Sequence, residues 1–408
     1  MTQFAAKHSE SKIIKSNILS IAAEAQEAKK ENPFVIDGTI GMLFSEEGKL
    51  LKFKSVITAL DELTDMEKYA YSQTAGTEQF KEGILRWSFR GYYDEITSKM
   101  YCDVIATPGG SGAVSSTIGN YLNPNDKLLT SDFGWGPYAQ MAKENFTSVE
   151  YYSLFDESFR FNFDDYKKHA DLLIKDQGRL LSIINDPCHN PTGFALELDD
   201  WKKIINHANN AGVPVVIFLD MAYIDYLPKG IDASREVIKE FLNINDNVMV
   251  ILGFSGSKTF SVYGMRVGAQ VCIAKTKEAQ EEFFRINEFS ARSRWSNINH
   301  AGLALVEKII LNDTLRTNFE NELKDASFML MERALMFMDE ANKIDLHYYP
   351  YKGGFFLTVP CNGEKTYNNL KKEGIFVVPL KKGIRISLSA LPKRDIQGLA
   401  KKIQNALE

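Results

Sequence analysis

The sequence predicts an α/β protein in which a mostly parallel sheet, covered by helices on both faces, is joined by a smaller α+β lobe. Three observations predict this class. The chain has 408 residues, which is more than a single hydrophobic core usually serves. Short apolar runs alternate with amphipathic stretches up to about residue 310, and polar residues follow several of these runs directly. Because ligands of such sheets gather at the carboxyl ends of the strands, we expect a site there.

The elements of the larger part follow from the spacing of apolar residues. A helical pattern predicts an amphipathic helix over about residues 12–30, and the residues before it are expected to form a loose arm. Further along, three apolar runs predict strands, with one helix between the first two. The three strands are Leu180–Asn185, 213–220 and 248–254, and the helix covers 199–210.

Beyond about residue 312 the pattern changes. A long helix is predicted first, and three short strands follow at 355–359, 375–379 and 384–388. This alternation predicts the second, α+β lobe.

Composition narrows the classes of partner. The net charge is −5 and no dense run of Lys and Arg offsets it, which argues against a nucleic-acid surface and favours small-molecule partners. The four cysteines have no metal-binding or disulfide spacing, as expected for a reducing cytoplasm. Residues 1–20 lack the apolar core of a signal peptide, so the mature chain is expected to start here. No apolar run approaches the roughly 20 residues that span a bilayer, so no membrane segment is expected.

The most informative segment is SGSKTFSVYGMRVG at residues 255–268. It places Lys258 among hydroxyl groups and glycines, with Arg266 eight residues later. An amine that can form a Schiff base beside a phosphate cradle is what pyridoxal phosphate requires. The alternative is a solvated surface charge, as for most of the 48 Lys and Arg residues.

A glycine-rich turn, TPGGSGA at residues 107–113, precedes a helical stretch. Such a turn frees backbone N–H groups to face an anion at the positive end of the helix. Together with Ser255, Ser257 and Arg266 it predicts a phosphate site, although a turn of purely structural importance has the same sequence.

Two polar residues stand at strand ends. Asp220 closes the apolar run before it, where an unpaired buried carboxylate is costly, so a protonated pyridine nitrogen is a suitable partner. A helix N-cap is the alternative. Asn190 lies in the loop NDPCHNPTG at 185–193, whose prolines restrict the backbone. Its amide can bond a phenolate or a carboxylate.

Two further residues are weaker candidates by themselves. Trp135 offers a flat surface for a ring, or is plain core. Arg385 alternates with Ile384 and Ile386 and should therefore face away from both. Its guanidinium can bind a carboxylate with two hydrogen bonds, or it is a surface charge.

Together these motifs resemble the class I pyridoxal-phosphate aminotransferases, specifically the aspartate and aromatic amino acid aminotransferase group, over about residues 36–391. The resemblance implies the fold of type I pyridoxal-phosphate enzymes, with a seven-stranded sheet in the large domain, and a homodimer with shared active sites. It also implies three parts of the chain: an N-terminal arm (1–15), a small domain (16–48 with 312–408) and a large cofactor-binding domain (49–311).

The resemblance assigns roles to individual residues. Lys258 would attach the cofactor and move a proton from the substrate α-carbon, Asp220 would hold the pyridinium proton, and Trp135 would stack on the ring. Asn190 and Tyr223 would bond the phenolate oxygen. The phosphate would be held by Gly110, Ser111, Ser255, Ser257, Arg266 and, from a second subunit, Tyr71. Arg385 would bind the substrate carboxylate, with Asn190 and the backbone around Gly41.

Substrate choice is less constrained. The family's ping-pong reaction passes an amino group to a 2-oxo acid, and Arg292 matches the residue that binds a dicarboxylate side chain across the dimer, so 2-oxoglutarate is the expected acceptor. Phe44 stands where aspartate-preferring members carry lysine, which predicts a preference for aromatic amino donors.

Tyr138 replaces a histidine that supports the pyridinium carboxylate. An aspartate aminotransferase and a β-eliminating lyase are the alternatives. A DNA-binding regulator is disfavoured, because the chain leaves no room for a DNA-binding module.

Overall fold

The computed structural model describes residues 4–14 and 18–407. Within them the chain forms twelve strands: β1 (Ile36–Asp37), β2 (Tyr101–Pro108), β3 (Lys127–Ser131), β4 (Ser148–Tyr152), β5 (Leu180–Asn185), β6 (Val215–Asp220), β7 (Val248–Ser255), β8 (Val267–Ala274), β9 (Phe356–Val359), β10 (Ile375–Phe376), β11 (Val378–Leu380) and β12 (Gly383–Ser387).

The same residues form seventeen α-helices, several of them a single turn long. They are α1 (Ile18–Glu31), α2 (Lys54–Asp61), α3 (Asp65–Tyr69), α4 (Glu78–Phe89), α5 (Tyr93–Lys99), α6 (Gly109–Tyr121), α7 (Pro137–Glu144), α8 (Phe163–Gln177), α9 (Leu198–Asn209), α10 (Glu236–Glu240), α11 (Gly256–Thr259), α12 (Lys277–Arg294), α13 (His300–Leu311), α14 (Asp313–Lys343), α15 (Gly363–Lys372), α16 (Lys393–Ile396) and α17 (Leu399–Leu407).

The main sheet of the described chain has seven strands in the order β2-β8-β7-β6-β5-β3-β4. Only β8 runs antiparallel to its neighbours. The predicted fold, an α/β protein with a mostly parallel seven-stranded sheet, is therefore confirmed. Because β8 runs in the opposite direction, its first residue lies at the edge where the other strands end, and Val267 pairs with Pro108.

The three predicted parallel strands form with small changes at their ends. The first has the predicted bounds, and every residue of all three is buried, as expected for strands covered on both faces. The second begins at Val215 rather than 213, since Pro214 has no N–H to donate. The third continues to Ser255, which brings that residue to the strand end.

The smaller lobe contains a three-stranded antiparallel sheet, β11-β12-β9, and the parallel pair β1-β10. The single strand predicted at 375–379 is wrong: the chain passes from β10 to β11 at Val377 and so changes sheets. α14 begins beside the larger core, where Phe319 and Leu323 are buried, and ends in the smaller core, where Phe337 and Ala341 are buried. One continuous helix thus joins both cores.

The helix predicted over 12–30 is wrong at its start. Residues 12–14 are not helical, α1 begins at Ile18, and residues 15–17 lie outside the described residues. Ile13 and Ile14 are exposed, whereas Ile21 and Ala25 pack in the smaller core, so the helix forms where an apolar face has a partner.

Residues before this helix contact α7. Lys12 pairs with Glu144 at 2.9 Å, and the Lys143 Nζ donates to the Ser11 carbonyl at 2.5 Å. Among residues 4–14 and 18–407, none of the helices combines the length and apolar character needed to cross a bilayer.

Candidate active site

A cavity of about 370 Å³ opens at the carboxyl edge of the main sheet. Its wall contains every residue predicted for the site except Tyr71 and Arg292. The residues concerned are Gly41, Gly110, Ser111, Trp135, Asn190, Asp220, Tyr223, Ser255, Ser257, Lys258, Arg266 and Arg385.

The sheet explains why residues so distant in sequence meet. Asn185 and Asp220 are the last residues of neighbouring strands and lie side by side in register. Asp220 in turn lies beside Gly253, two residues before the end of β7. On the far side β2 ends at Pro108 and runs directly into α6. Parallel strands therefore deliver their polar ends to one edge.

Lys258 follows β7 on the single turn α11. Its Nζ donates to the Gly41 carbonyl at 2.7 Å and lies 4.9 Å from the centre of the Tyr263 ring. Burial, Arg385 and Arg266 lower the pKa of this amine to about 7, and Asp220 opposes that shift. Much of the amine is consequently uncharged at neutral pH, which an amine needs if it is to act as a nucleophile or a base.

Asp220 is buried and held by two donors. The Tyr138 hydroxyl donates to its Oδ2 at 2.5 Å, and the Ala222 N–H donates to Oδ1 at 3.3 Å. Burial raises the pKa of this carboxyl above its usual value, while the Tyr138 hydrogen bond lowers it. A cationic ring nitrogen would compensate the charge of this buried carboxylate.

Arg385 lies on β12 and reaches the cavity as strand alternation predicts. Its Nη1 donates to the Asn190 Oδ1 at 3.2 Å, its Nη2 donates to the Thr39 carbonyl at 2.6 Å, and its guanidinium lies 4.2 Å from the centre of the Phe356 ring. The Nε is buried and has no partner among the described residues. Burial lowers the pKa of Arg385 to about 10, which still leaves it charged at neutral pH. The group is suited to binding a carboxylate.

The loop that carries Asn190 is tied to the strand ends. The Asn190 N–H donates to the Asn185 Oδ1 at 2.7 Å, and the Asn185 Nδ2 donates to the Asp220 carbonyl at 2.8 Å. The Asn190 side chain also bonds the Tyr223 hydroxyl. Burial raises the pKa of Tyr223 far above its usual value, and Arg385 opposes this rise. Tyr223 is thus a phenol at neutral pH and can donate a hydrogen bond.

At the other end of the cavity, Arg266 packs on the start of α6. Its Nη1 donates to the Ser257 Oγ at 2.9 Å. A Cβ at Gly109, where φ is +70°, would lie 2.6 Å from the Arg266 Nη2, so glycine is needed for this approach. The guanidinium, the serine hydroxyls and the free N–H groups of the helix form a cradle for an anion such as phosphate.

Trp135 contributes the flat part of the wall. Its ring meets that of Tyr138 edge-on, at 5.5 Å between centres and 88° between planes. Tyr138 therefore supports both the indole and the Asp220 carboxylate. With an anion cradle at one end, a buried carboxylate at the other and an amine between them, the residues fit pyridoxal phosphate.

Tyr71 and Arg292 are the two predicted site residues that the chain does not bring to its own cavity. Tyr71 is 92% exposed. Arg292 is exposed as well, and its Nη1 donates to the Ser296 Oγ at 2.6 Å. The sequence assigns both to the site of a second subunit, and that assignment stays a prediction.

Eight further residues of the wall were not predicted for the site: Ile18, Leu19, Ile40, Met42, Asn185, Ala222, Tyr263 and Phe356. The Tyr263 hydroxyl accepts from the Leu43 N–H at 2.9 Å beside Lys258, Phe356 supports Arg385, and Met42 lines the cavity. Phe44 is not among the wall residues, and its carbonyl accepts from the Arg333 Nη2 at 2.8 Å. Tyr263 lies inside the segment 255–268, but Phe356 gave no signal because all of β9 is buried.

A larger cavity, of about 540 Å³, lies elsewhere, near Asp186 and Trp201. Each of its three lysines pairs with a carboxylate within 3.4 Å: Lys202 with Asp199, Lys229 with Glu236 and Lys352 with Glu197. None of the residues predicted for the site lines this cavity, so the smaller cavity is the candidate active site.

A lysine amine, a buried carboxylate and an anion cradle at one edge of an α/β sheet define a cofactor-dependent enzyme of the pyridoxal-phosphate type. The chain belongs to the aminotransferase class I and II family, whose model matches residues 39–403, and pyridoxal 5′-phosphate is the cofactor of class I aminotransferases. It is an aminotransferase.

Individual relatives cover nearly the whole chain. An aspartate aminotransferase of Pseudomonas aeruginosa is 25% identical over 92% of this chain and 93% of its own length. An aromatic-amino-acid aminotransferase of Escherichia coli is 22% identical over 89% and 91%. The crystal structure of an aminotransferase from Anaerococcus prevotii superposes with a TM-score of 0.95, at 30% identity and with full coverage of both chains.

Proposed function

We propose that this aminotransferase passes the amino group of an L-amino acid, with aromatic donors preferred, to 2-oxoglutarate by a ping-pong mechanism. The observation that carries the proposal is the placement of Lys258 in one cavity with Asp220 and Arg385. The relatives include enzymes named for aspartate and enzymes named for aromatic amino acids, and these are the two donor classes that we consider.

Pyridoxal phosphate, when bound, would draw electrons away from the substrate α-carbon. Arg266, Ser255 and Ser257 would hold its phosphate, with Gly110 and Ser111 at the start of α6. Asp220 would hold the proton on its ring nitrogen, and the Tyr223 hydroxyl and the Asn190 amide would donate to its phenolate oxygen. Trp135 would cover one ring face.

Lys258 would act twice. Its amine would hold the cofactor covalently and, in its free form, would take the proton from the substrate α-carbon. A pKa of about 7 suits this task, because a base is most effective when its pKa lies near the working pH. The Gly41 carbonyl, which accepts from Nζ, would keep the free amine inside the cavity.

Arg385 would orient the substrate by its α-carboxylate, and the apolar part of the wall would receive the side chain. That part includes Ile18, Leu19, Ile40, Met42 and Phe356. Burying an aromatic ring against such a surface contributes about 1.5–3 kcal/mol that an aspartate side chain cannot gain. The support for aromatic donors thus comes from these residues and not from Phe44.

A comparison of amino donors tests the substrate preference. We expect kcat/KM for Phe and Tyr to exceed that for Asp by about tenfold or more, because only the rings gain from the apolar wall. The matched variant is Met42→Lys, which should lower activity toward Phe and raise it toward Asp.

Faster turnover of Asp than of Phe by the unmodified enzyme would contradict the preference and favour the second candidate, an aspartate aminotransferase. Arg292 is the observation that supports that candidate. Release of pyruvate and ammonia from cystathionine without an oxo acid would favour a β-eliminating lyase instead.

We further propose a homodimer with shared sites, supported by the exposure of Tyr71 and of Arg292 in the single chain. In this arrangement Arg292 of one subunit would bind the side-chain carboxylate of a substrate in the other. Tyr71 would reach the phosphate of the other subunit's cofactor.

Mixed dimers provide the test. Lys258→Ala chains and Arg292→Ala chains should each be nearly inactive with glutamate. When the two are unfolded together and refolded, half the dimers should be mixed and hold one native site each, so about one quarter of the native sites should return. No recovery in a dimeric mixture would contradict the shared site.

A further inference from the structure

A buried ion pair lies behind Lys258, outside the cavity wall. Arg235 Nη2 donates to the Asp225 Oδ1 at 2.5 Å, and the exposed fractions are 0% for Arg235 and 1% for Asp225. The guanidinium also lies over the Trp87 ring. Charges withdrawn from water in this way are costly unless other hydrogen bonds complete them. The second carboxylate oxygen of Asp225 is free of Arg235 and bonds the segment that carries Lys258.

That oxygen, Oδ2, accepts from the Thr259 Oγ1 at 2.6 Å. Thr259 directly follows Lys258. The next residue after Asp225, Tyr226, donates its hydroxyl to the Lys258 carbonyl at 2.8 Å. Two adjacent residues of one segment therefore hold two adjacent residues of another.

The holding segment also carries ring-binding residues. The short 3₁₀ turn Ile224–Tyr226 follows Asp220 and Tyr223 without interruption. The held segment, α11, is only four residues long, so few hydrogen bonds of its own fix it. External contacts must set its position.

We propose that Asp225, which lies outside the cavity wall, is a positioning residue for Lys258: through Thr259 it fixes the lysine turn relative to Asp220 and Tyr223. The inference rests on the proposed role of Lys258. The hydrogen bond from Arg235 to Oδ1 holds the Asp225 carboxylate in place.

The position of the amine determines its charge. The ionisable groups around Lys258 come from four parts of the chain. They are Asp220 at the end of β6 with Tyr223 just beyond it, Tyr226 on the turn that follows, Tyr263 and Arg266 before β8, and Arg385 on β12. A turn freed from Asp225 would let the amine move away from the two arginines and toward solvent. Its affinity for a proton would rise, and its aim at the substrate α-carbon would be lost.

Thr259→Val tests this, with Thr259→Ser as the matched control. Valine keeps the shape but removes the hydroxyl, whereas serine retains the donor. We expect Thr259→Val to lower kcat about tenfold with KM nearly unchanged, and Thr259→Ser to remain close to wild type. Asp225→Asn should resemble the valine variant, but it also leaves Arg235 unpaired, so the threonine pair is the cleaner comparison.

The second readout uses the protein without its cofactor. Carbamylation of Lys258 by cyanate, followed by peptide mass spectrometry across a pH series, reports the midpoint at which the amine loses its proton. The wild-type midpoint should lie at about 7. In Thr259→Val it should rise by about one unit, and the acidic limb of the kcat profile of the loaded enzyme should move with it. A merely structural role would lower the melting temperature without moving either midpoint.

The outcomes separate the two proposals. An active Lys258→Ala variant would overturn the proposed function. An inactive Lys258→Ala variant, together with a Thr259→Val midpoint equal to wild type, would overturn only the positioning role. If Thr259→Val does not fold, Tyr226→Phe removes the other contact to the same turn and should shift the midpoint in the same direction; an unchanged midpoint there overturns the inference.

Discussion

Lys258→Ala is expected to lower transamination by a factor of about 10⁴ or more, because the variant loses both the covalent attachment and the base. The fold should persist, since the amine makes its one direct hydrogen bond in the described structure to the Gly41 carbonyl. The measurement is kcat with Phe and 2-oxoglutarate, alongside circular dichroism and thermal unfolding.

The matched control for this variant is Lys401→Ala, which removes an exposed amine on α17, outside the cavity wall. It should retain wild-type activity. Full activity of Lys258→Ala, or a loss of activity as large in Lys401→Ala, would contradict the assignment of Lys258.

Asp220→Asn is expected to have the second largest effect, a decrease of about 10²–10³ in kcat. The amide keeps the shape of the carboxylate and can still accept from the Tyr138 hydroxyl, but it carries no charge to hold a proton on the cofactor ring. Steady-state kinetics and the absorbance spectrum of the loaded variant should both change. Unaltered kcat would contradict the role of Asp220.

Tyr138→Phe distinguishes the effect of the Asp220 charge from the effect of the hydrogen bond that supports this carboxylate. This variant removes only the hydroxyl that donates to Asp220 at 2.5 Å, so the charge remains. We expect a loss of about tenfold, much smaller than that of Asp220→Asn. If Tyr138→Phe lowers kcat as much as Asp220→Asn does, the hydrogen bond from Tyr138 matters more to catalysis than the charge of Asp220.

Much of the fold and of the candidate site could be predicted because both depend on local sequence. Strand ends bear the polar residues, so Asp220 and Ser255 could be placed at one edge before any contact was known. Alternation alone could place Arg385 on the face opposite Ile384 and Ile386, and the family resemblance was needed to assign it to the site. The division of 375–379 into two strands could not be predicted, because it depends on which sheet each half meets.

Other residues depend on contacts between distant segments. Nothing near Tyr263 or Phe356 in sequence indicates that the first meets Leu43 or that the second supports Arg385. The sequence around Asp225 does not distinguish it from other acidic residues. Its proposed role in positioning Lys258 follows only from its contacts with Arg235 and Thr259.

The most direct test of the account is to identify the lysine that holds the cofactor. The enzyme loaded with pyridoxal phosphate is reduced with borohydride, which makes the attachment permanent, and its peptides are mapped by mass spectrometry. The account predicts the added mass on Lys258 alone. The mass on another lysine, or on none, would contradict it.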